Sequence, residues 1–249
     1  MLADDLRAAL DPTEIMRRAG LEPDPWQRDL LRSRAPRSLL LCTRQAGKST
    51  VTAALALHEA LYRPPALVLL LSPSLRQSGE LFRKVMGFYA HFSQEAPAEA
   101  ESALRLDLKN GSRIVSLPGT EATVRGYSGV SLLVLDEAAR VPDDLYYSVR
   151  PMLAVSGGRL IGLSTPWGKR GWYHSEWHSE TADWHRVKVT AHDCPRISRA
   201  FLAEERAALG DFWFRQEYEC EFSETSDQLF AHAVVQAAFT ADVTPLFGA

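Results

Sequence analysis

The sequence predicts an α/β fold: a mostly parallel β-sheet flanked by helices, with a small β-hairpin and a C-terminal helical lid or linker. Short apolar runs without polar alternation, such as residues 66–71, recur between segments with helical periodicity. Such unbroken runs are typical of parallel strands that are buried on both faces. A turn at Asn110-Gly111 joins two segments that alternate apolar and polar residues, as in a hairpin. The chain has 249 residues, which is enough for one large domain.

The first half of the chain alternates predicted helices with predicted strands. Asp11-Pro12-Thr13-Glu14 is a helix start, with aspartate at the cap, proline at the first position and glutamate soon after. Gly20 ends that helix. Four elements follow in order: a strand at 37–43, a helix at 49–62, a strand at 66–71 and a helix at 75–92.

The second half begins with the hairpin and closes with helices. We expect one domain over residues 1–222, of which 1–36 form an N-terminal helical segment. From residue 223 the sequence becomes polar, and 223–249 are predicted to be a linker or docking tail. The predicted elements are hairpin strands at 104–108 and 113–117, a core strand at 132–135, a helix near 142–153, a core strand at 159–163, an edge strand at 185–190, and closing helices at 198–209 and 212–218.

Composition and charge narrow the function classes. Hydrophobic residues make up 46% and charged residues 24% of the chain, the usual proportions for a soluble globular protein. The formal net charge of −3 argues against a protein that coats DNA, but it leaves room for a local basic patch. No apolar run in the sequence is long enough to span a bilayer, so we expect no membrane association. Three widely separated cysteines without a CxxC pair predict a reduced, cytoplasmic protein.

The stretch LLLCTRQAGKST, residues 39–50, has the order strand, loop, helix that binds polyphosphate. In such loops successive backbone N–H groups and the helix N-terminus face the anion. Lys48 would reach the terminal phosphates, and Ser49 could coordinate Mg²⁺. However, Cys42 stands where the usual loop opens with glycine. The alternative is a basic loop that caps an ordinary helix.

A buried strand is predicted to end in two adjacent carboxylates, in the sequence LLVLDE at residues 132–137. Asp136, at the C-terminal edge of the strand, would hold Mg²⁺ through water, and Glu137 would polarise an attacking water. On its own, an acidic pair after a strand is usually the start of a solvated loop. Combined with Lys48, which we place on a neighbouring strand of the same sheet, the pair predicts a nucleotide site.

Two weaker signals accompany these motifs. In Pro25-Trp26-Gln27 the indole could stack on adenine and the glutamine could read the adenine edge. Alternatively, the tryptophan anchors a helix to the core. Ser164 and Thr165 stand where a strand leaves the sheet, and their hydroxyls could sense the γ-phosphate or its bound water. Ordinary turn chemistry is the alternative for this pair.

The order of these motifs resembles that of the ATPase domain of the large terminase, the DNA-packaging motor of tailed bacteriophages. The resemblance covers roughly residues 20–230 and implies a P-loop NTPase fold of the additional-strand, RecA-like type. It also accounts for Cys42, because terminases often have a basic Arg-Gln-x-Gly-Lys-Ser form of the loop. The motifs that carry the resemblance are Trp26-Gln27, Arg44-Gln45-Ala46-Gly47-Lys48-Ser49, Arg125-Gly126, Val134-Leu135-Asp136-Glu137-Ala138-Ala139, Ser164-Thr165-Pro166-Trp167-Gly168 and the segment 212–222.

The resemblance implies roles by position. Glu137, Lys48 and Arg125 match the catalytic residues: a catalytic glutamate, a phosphate ligand, and an arginine finger that reaches into a neighbouring subunit. Ser49 and Asp136 match the Mg²⁺ ligands. For Arg125 the alternative is a surface arginine paired with a nearby carboxylate. The implied nucleotide-binding residues are Trp26 and Gln27 on the adenine side, Arg44, Gln45, Ala46, Gly47, Lys48, Ser49 and Thr50 in the phosphate loop, and Ser164 and Thr165, which match a motif proposed to couple hydrolysis to motion.

The resemblance also implies a function and partners. We expect a Mg²⁺-dependent ATPase that binds ATP and powers translocation of double-stranded DNA into a procapsid. Its expected partners are the portal and the small terminase subunit, and its expected active form is a homo-oligomeric ring, although the isolated chain could be a monomer. The alternative is a catalytically idle, nucleotide-binding scaffold that docks the small terminase or portal. Large terminases usually continue into a ribonuclease H-like nuclease domain, but only a short tail follows Glu221, so we expect no nuclease activity in this chain.

Overall fold

A computed structural model describes residues 2–119, 124, 126–223, 234, 237 and 238. Within these residues the centre of the fold is one eight-stranded sheet. Its strands are β1 (Arg37–Cys42), β2 (Leu67–Ser72), β3 (Ala98–Glu101), β4 (Arg105–Leu108), β5 (Arg113–Pro118), β6 (Leu132–Asp136), β7 (Arg159–Ser164) and β8 (His185–Val189). They are ordered β3-β4-β5-β2-β6-β7-β1-β8. The β3–β4 and β4–β5 pairs are antiparallel and all the other pairs are parallel, which confirms the predicted fold class.

Helices cover both faces of this sheet. One face carries the N-terminal helices together with α4 and α5, and the other carries α6 and α7. The helices are α1 (Leu2–Leu10), α2 (Glu14–Arg18), α3 (Pro25–Arg32), α4 (Lys48–Tyr62), α5 (Leu75–Tyr89), α6 (Asp143–Val149), α7 (Gly171–His178) and α8 (Arg199–Glu217). Among the described residues, no helix is both long enough and apolar enough to cross a membrane.

The central strands are apolar throughout because both of their faces are buried. In β2, Val68 and Leu70 pack toward α4 and α5, whereas Leu69 and Leu71 pack toward α6 and α7. Every residue of β2 is buried. Each such side chain contributes about 1.5–3 kcal/mol on burial, so a polar residue on either face would be costly. The central strands therefore lack alternating polar and apolar residues because helices cover both faces of the sheet.

Strand order is one point on which the sequence interpretation was wrong. The strand before the phosphate loop, β1, is not the neighbour of the acidic strand, β6, because β7 lies between them. Ser164 of β7 is paired with Leu41 of β1, and Leu163 is paired with Asp136 of β6. The order of parallel strands is set by the crossover connections, which leave no local trace in the sequence.

Two further differences concern the edge of the sheet, and the closing helices and the tail were also predicted. The predicted hairpin forms β4 and β5, but β5 also pairs in parallel with β2, so the hairpin continues the main sheet. The edge strand β3 was not predicted, because its sequence, Ala-Glu-Ala-Glu, lacks the residues that favour strands. The two predicted closing helices are confirmed: α8 consists of two helical segments that are separated at Gly210, whose φ of 74° and ψ of 163° are not helical. The predicted tail, 223–249, lies almost wholly outside the described residues.

Candidate active site

The phosphate loop, residues 43–47, connects the end of β1 to the start of α4. Two of its residues have positive φ angles, Gln45 at 61° and Gly47 at 91°. Gly47 is the residue before the first turn of α4, which begins Lys48-Ser49-Thr50. The first-turn N–H groups of a helix have no partners within the helix, and the helix dipole adds positive potential there. The turn therefore presents a set of donors that suits a phosphate group.

The position of Cys42 explains why this loop opens without glycine. Cys42 is the last residue of β1, fully buried, and paired with Val189 of β8. The backbone N–H of Thr43 still donates to the carbonyl of Val189 at 2.8 Å, so the chain leaves the sheet only after residue 43. A strand position does not need the conformational freedom of glycine. Burial raises the pKa of the Cys42 thiol, which keeps it protonated and unreactive.

Lys48 and Glu137 come together across this loop. The Lys48 ammonium is largely buried, donates to the Thr43 carbonyl at 3.3 Å, and lies 4.0 Å from Oε1 of Glu137. Glu137 follows β6 directly in a left-handed backbone conformation, with φ 52° and ψ 43°. That conformation turns the chain sharply at the edge of the sheet. The two motifs therefore meet, although their strands are separated by β7.

Asp136 is the second carboxylate at this edge. It is the last residue of β6, and its Oδ1 accepts the backbone N–H of Glu137 at 3.1 Å. Burial, reinforced by the Glu137 carboxylate and opposed by Lys48, raises the pKa of Asp136 to about 6. A buried carboxylate of this kind is stabilised by a cation.

The residues present fit Mg²⁺, which prefers oxygen ligands. Asp136 provides a buried carboxylate, and Ser49 provides a hydroxyl in the first turn of α4. On β7, between the strands that carry these motifs, the hydroxyl of Ser164 is buried and has no hydrogen-bond partner among the described residues. Thr165 is also buried. Neither Ser164 nor Thr165 lines the cavity at the loop.

A cavity of about 480 Å³ lies above the phosphate loop, a volume within the range of small-molecule sites. Four cationic side chains line it, against two carboxylates. This balance suits a polyanionic ligand. The cationic residues are Arg44, Lys48, Lys84 and Arg196; the carboxylates are Glu22 and Glu137; the remaining lining residues are Met16, Leu21, Gln27, Gln45, Ala46, Gly47, Ser49 and Thr50.

Sequence reasoning missed two of these cations. Lys84 lies on α5 and donates to the Thr50 hydroxyl at 3.2 Å. Its helical spacing from the other basic residues of α5 is equally typical of a solvated helix face. Arg196 follows β8 and donates to the carbonyl of Ala46 at 3.1 Å and to Asp24 at 2.8 Å. For Lys84 the helical spacing of basic residues was a usable signal. Arg196 reaches the site only through the tertiary fold, and no local motif marks it.

The C-terminal helix is fastened to the other side of the same loop. Arg44 forms an ion pair with the side chain of Glu217, near the end of α8. The Thr43 hydroxyl donates to the backbone carbonyl of Glu217 at 2.8 Å. The hydrogen bond that Arg44 donates to the Glu217 carboxylate raises the pKa of Arg44. The loop is thus held from both sides by segments that come late in the chain.

The Trp26-Gln27 motif divides between the core and the site. Gln27 is buried, accepts the backbone N–H of Asp24 at 2.9 Å and points its amide nitrogen at the carbonyls of Ala46 and Gly47, each 3.5 Å away. The indole of Trp26 is packed in the hydrophobic core and does not line the cavity. The structure therefore places Trp26 as the anchor of α3, and the expected stacking face is covered. Met16 and Leu21 are large apolar side chains that do line the cavity.

Arg125, the predicted arginine finger, lies outside the described residues. The structure therefore describes all the other predicted site residues and gathers most of them around one cavity. The exceptions, which are buried and do not line the cavity, are Trp26 in the core, Asp136 at the end of β6, and Ser164 and Thr165 at the end of β7.

Comparison with known proteins identifies the family. The family model described as "Terminase large subunit, T4likevirus-type, N-terminal" matches residues 39–236. The large terminase subunit of Thermus virus P23-45 is 26% identical in an alignment 247 residues long that covers 85% of this chain and 51% of that protein. The chain thus spans about half the length of the curated relatives it matches.

Solved structures show the same fold. The large terminase ATPase domain of Thermus phage P74-26 matches with a TM-score of 0.74 and 23% identity, over 84% of this chain and 97% of that chain. The large terminase of another thermophilic bacteriophage, solved in complex with ADP, matches with a TM-score of 0.64 and 13% identity, over 80% of this chain and 54% of that chain. Because the family model covers most of its length, this chain belongs to the terminase large subunit family and corresponds to the N-terminal part of that family's proteins.

Proposed function

We propose that this chain is the ATP-hydrolysing part of a motor that drives double-stranded DNA into a phage procapsid. One observation carries the proposal: Lys48 and Glu137 face each other at 4.0 Å beside a cation-lined cavity of about 480 Å³. Family membership supports it. So do the similar structures, one of which is described as an ATPase domain and another as a complex with ADP.

In this proposal the phosphate loop binds the ATP phosphates. The backbone N–H groups of the first turn of α4 and the Lys48 ammonium contact the terminal phosphates, and Arg44 and Arg196 add positive charge at the two sides of the cavity. Gln27 and the apolar pair Met16 and Leu21 line the part of the cavity that a base would occupy. When Mg²⁺ is bound by Ser49 and Asp136, it neutralises charge on the phosphates.

Glu137 is the proposed catalytic residue. Its carboxylate orients a water molecule and accepts a proton from it as the water oxygen bonds to the γ-phosphorus. The bond from that phosphorus to the β–γ bridging oxygen breaks, leaving ADP and inorganic phosphate. The ammonium of Lys48 stays next to the phosphate oxygens and stabilises their charge through this step.

The remaining assignments extend from the family. Arg125 of one subunit is proposed to complete the site of its neighbour, so the active form would be a ring. An arginine finger of this kind increases the rate of hydrolysis by about 10³–10⁵-fold. Portal, small terminase subunit and DNA are the proposed partners, in the cytoplasm of the host cell. The expectation that this chain has no nuclease activity stays a prediction.

The test is Mg²⁺-dependent ATP hydrolysis, measured over a range of protein concentrations. Glu137→Gln should abolish hydrolysis while ADP still binds, because the amide cannot accept the proton. Lys48→Ala should weaken nucleotide binding itself. The matched control is Glu204→Gln, the same chemical change at an exposed position on α8, which should leave both properties unchanged.

Two outcomes would decide between the possible roles. Specific activity that rises with protein concentration and is lost in Arg125→Ala supports shared sites in a ring. A wild-type chain that binds ADP but hydrolyses no ATP at any concentration would refute the ATPase proposal, and a nucleotide-binding scaffold would then describe the chain better.

A further inference from the structure

Arg140 and Trp167 lie next to the proposed catalytic glutamate, and neither has a role in the site described above. Arg140 ends a short 3-10 turn, Ala138–Arg140, that begins directly after Glu137. Its Nε lies 4.0 Å from Oε2 of Glu137. Its guanidinium carbon lies 3.7 Å from the centre of the Trp167 ring, a distance suited to a cation–π contact.

The Glu137 carboxylate therefore has a cation on each side. Lys48 is 4.0 Å from Oε1, and Arg140 is 4.0 Å from Oε2. The backbone of Glu137 is in the left-handed region, which costs a residue with a side chain about 1–2 kcal/mol and persists only where the surroundings impose it. Lys48, the first residue of α4, would be drawn toward a phosphate bound at the loop. Arg140 is then the cation that still holds the carboxylate.

The segment that contains Trp167 is followed directly by α7, which is packed against the segment after β6. The indole N–H of Trp172 donates to the carbonyl of Val141 at 3.1 Å, and its backbone N–H donates to Asp143 at 2.7 Å. The Trp172 ring also stacks on Tyr146, with ring centres 3.9 Å apart. These contacts join the segment after β7 to the segment after β6. Trp167 is five residues before Trp172, in the segment between β7 and this packed region, and its ring contacts the guanidinium of Arg140.

We infer that Arg140 is a positioning residue that orients the Glu137 carboxylate toward the water, and that Trp167 fixes the guanidinium of Arg140 for this task. The inference rests on the proposed ATPase function. It deepens that function by linking the catalytic glutamate to the loop that follows Ser164 and Thr165 at the end of β7. A displacement of that loop would move Trp167, then Arg140, and would withdraw the carboxylate.

A purely structural role for Arg140 makes different predictions. Ion pairs that are partly exposed contribute about 0–1 kcal/mol to stability, so losing this one would alter the melting temperature slightly and the rate hardly at all. Misplacing a catalytic group by about 1 Å can instead cost about 100-fold in rate. The separation of kcat from nucleotide affinity therefore distinguishes positioning from packing.

The experiment compares kcat for ATP hydrolysis with the Kd for ADP in Arg140→Gln, Trp167→Ala, the double variant and Trp167→Phe. We expect each of the first two variants to lower kcat by about tenfold or more, with the Kd for ADP changed by less than about twofold. The double variant should be no slower than the slower single variant, because both act on one unit. Trp167→Phe, which keeps an aromatic face, should recover most of the rate.

The matched control is Arg150→Gln. Arg150 also lies over an aromatic ring, 5.3 Å from the centre of Tyr146, but no contact joins it to Glu137 among the described residues. Its kcat should equal that of the wild type. An unchanged kcat in Arg140→Gln with an active wild type would overturn the inference alone, as would losses that multiply in the double variant. A wild type without hydrolysis would overturn the proposed function, and the inference with it.

Discussion

Replacing Gly47 with alanine tests the geometry of the phosphate loop. Gly47 has a φ of 91°, and a Cβ atom there would lie 2.6 Å from the side-chain nitrogen of Gln27 and 3.4 Å from a guanidinium nitrogen of Arg196. A contact of 2.6 Å cannot be accommodated, so the Gln27 amide would have to move. We expect Gly47→Ala to lower the free energy of unfolding by about 2 kcal/mol.

This magnitude has two parts. The positive φ costs alanine about 1 kcal/mol or somewhat more. Moving the Gln27 amide costs about 1 kcal/mol further, because its oxygen accepts the backbone N–H of Asp24 at 2.9 Å and that buried hydrogen bond would be lost. Gly20 provides a control for the first part alone. Its φ is 74°, and no atom lies within 4 Å of the position a Cβ would take, so Gly20→Ala should cost about 1 kcal/mol.

Urea unfolding of both glycine variants, alone and combined with Gln27→Ala, separates the parts. In the Gln27→Ala background there is no amide to displace, so Gly47→Ala should cost about as much as Gly20→Ala does in the wild type. Gly20→Ala should cost the same in either background. Equal costs for the two glycine substitutions in the wild type, or full additivity between Gly47→Ala and Gln27→Ala, would refute the predicted packing of Gln27 against the loop.

Three further predictions concern single side chains. Burial lowers the pKa of His58 from its ordinary value of about 6.5 to about 4, so as the pH falls the unfolded chain takes up this proton at a higher pH than the folded chain does, and the folded state loses stability. Between about pH 7.5 and pH 5 the free energy of unfolding of the wild type, measured in urea, should fall by about 2 kcal/mol more than that of His58→Gln, and equal losses would contradict this. Glu217→Gln removes the partner of Arg44, so ADP should bind a few-fold more tightly at low salt in a calorimetric titration, and weaker binding would show that the pair is needed to hold the loop. Gly79→Ala, inside α5 with open space at the Cβ position, should raise the free energy of unfolding by about 0.5–1 kcal/mol, and a destabilised variant would place the helix differently.

The elements that sequence reasoning found are those whose signal is local. Strands such as β2 and β6 are runs of apolar residues, and burial on both faces requires that pattern whatever lies beside them. The Gly-Lys-Ser turn and the Asp-Glu pair were predictable as parts of one site for a related reason. The carboxyl ends of parallel strands share one edge of a sheet, so residues that follow such strands are brought near each other.

The features it missed depend on distant contacts. Arg196 is 150 residues from Ala46 in the sequence and donates to its carbonyl. No local sequence motif at either residue indicates this contact. Trp26 follows a proline and precedes a glutamine that does reach the loop, yet the helical turn of α3 sends the two side chains in different directions, Gln27 to the site and Trp26 to the core. Sequence spacing alone could not assign these directions, since they depend on how α3 sits on the sheet.

The insertion of β7 between β1 and β6 is the feature that ties these observations together. It places Ser164 in the sheet between the strand that carries the phosphate loop and the strand that ends in Asp136. The chain then continues from β7 to Trp167, whose ring meets Arg140 beside Glu137. The Ser164 hydroxyl is buried without a hydrogen-bond partner among the described residues, and such an unpaired group costs about 1–3 kcal/mol. Ser164 lies between the two motifs, so a small movement of β7 would reach Asp136, the proposed metal ligand, and, through Trp167 and Arg140, the proposed catalytic glutamate.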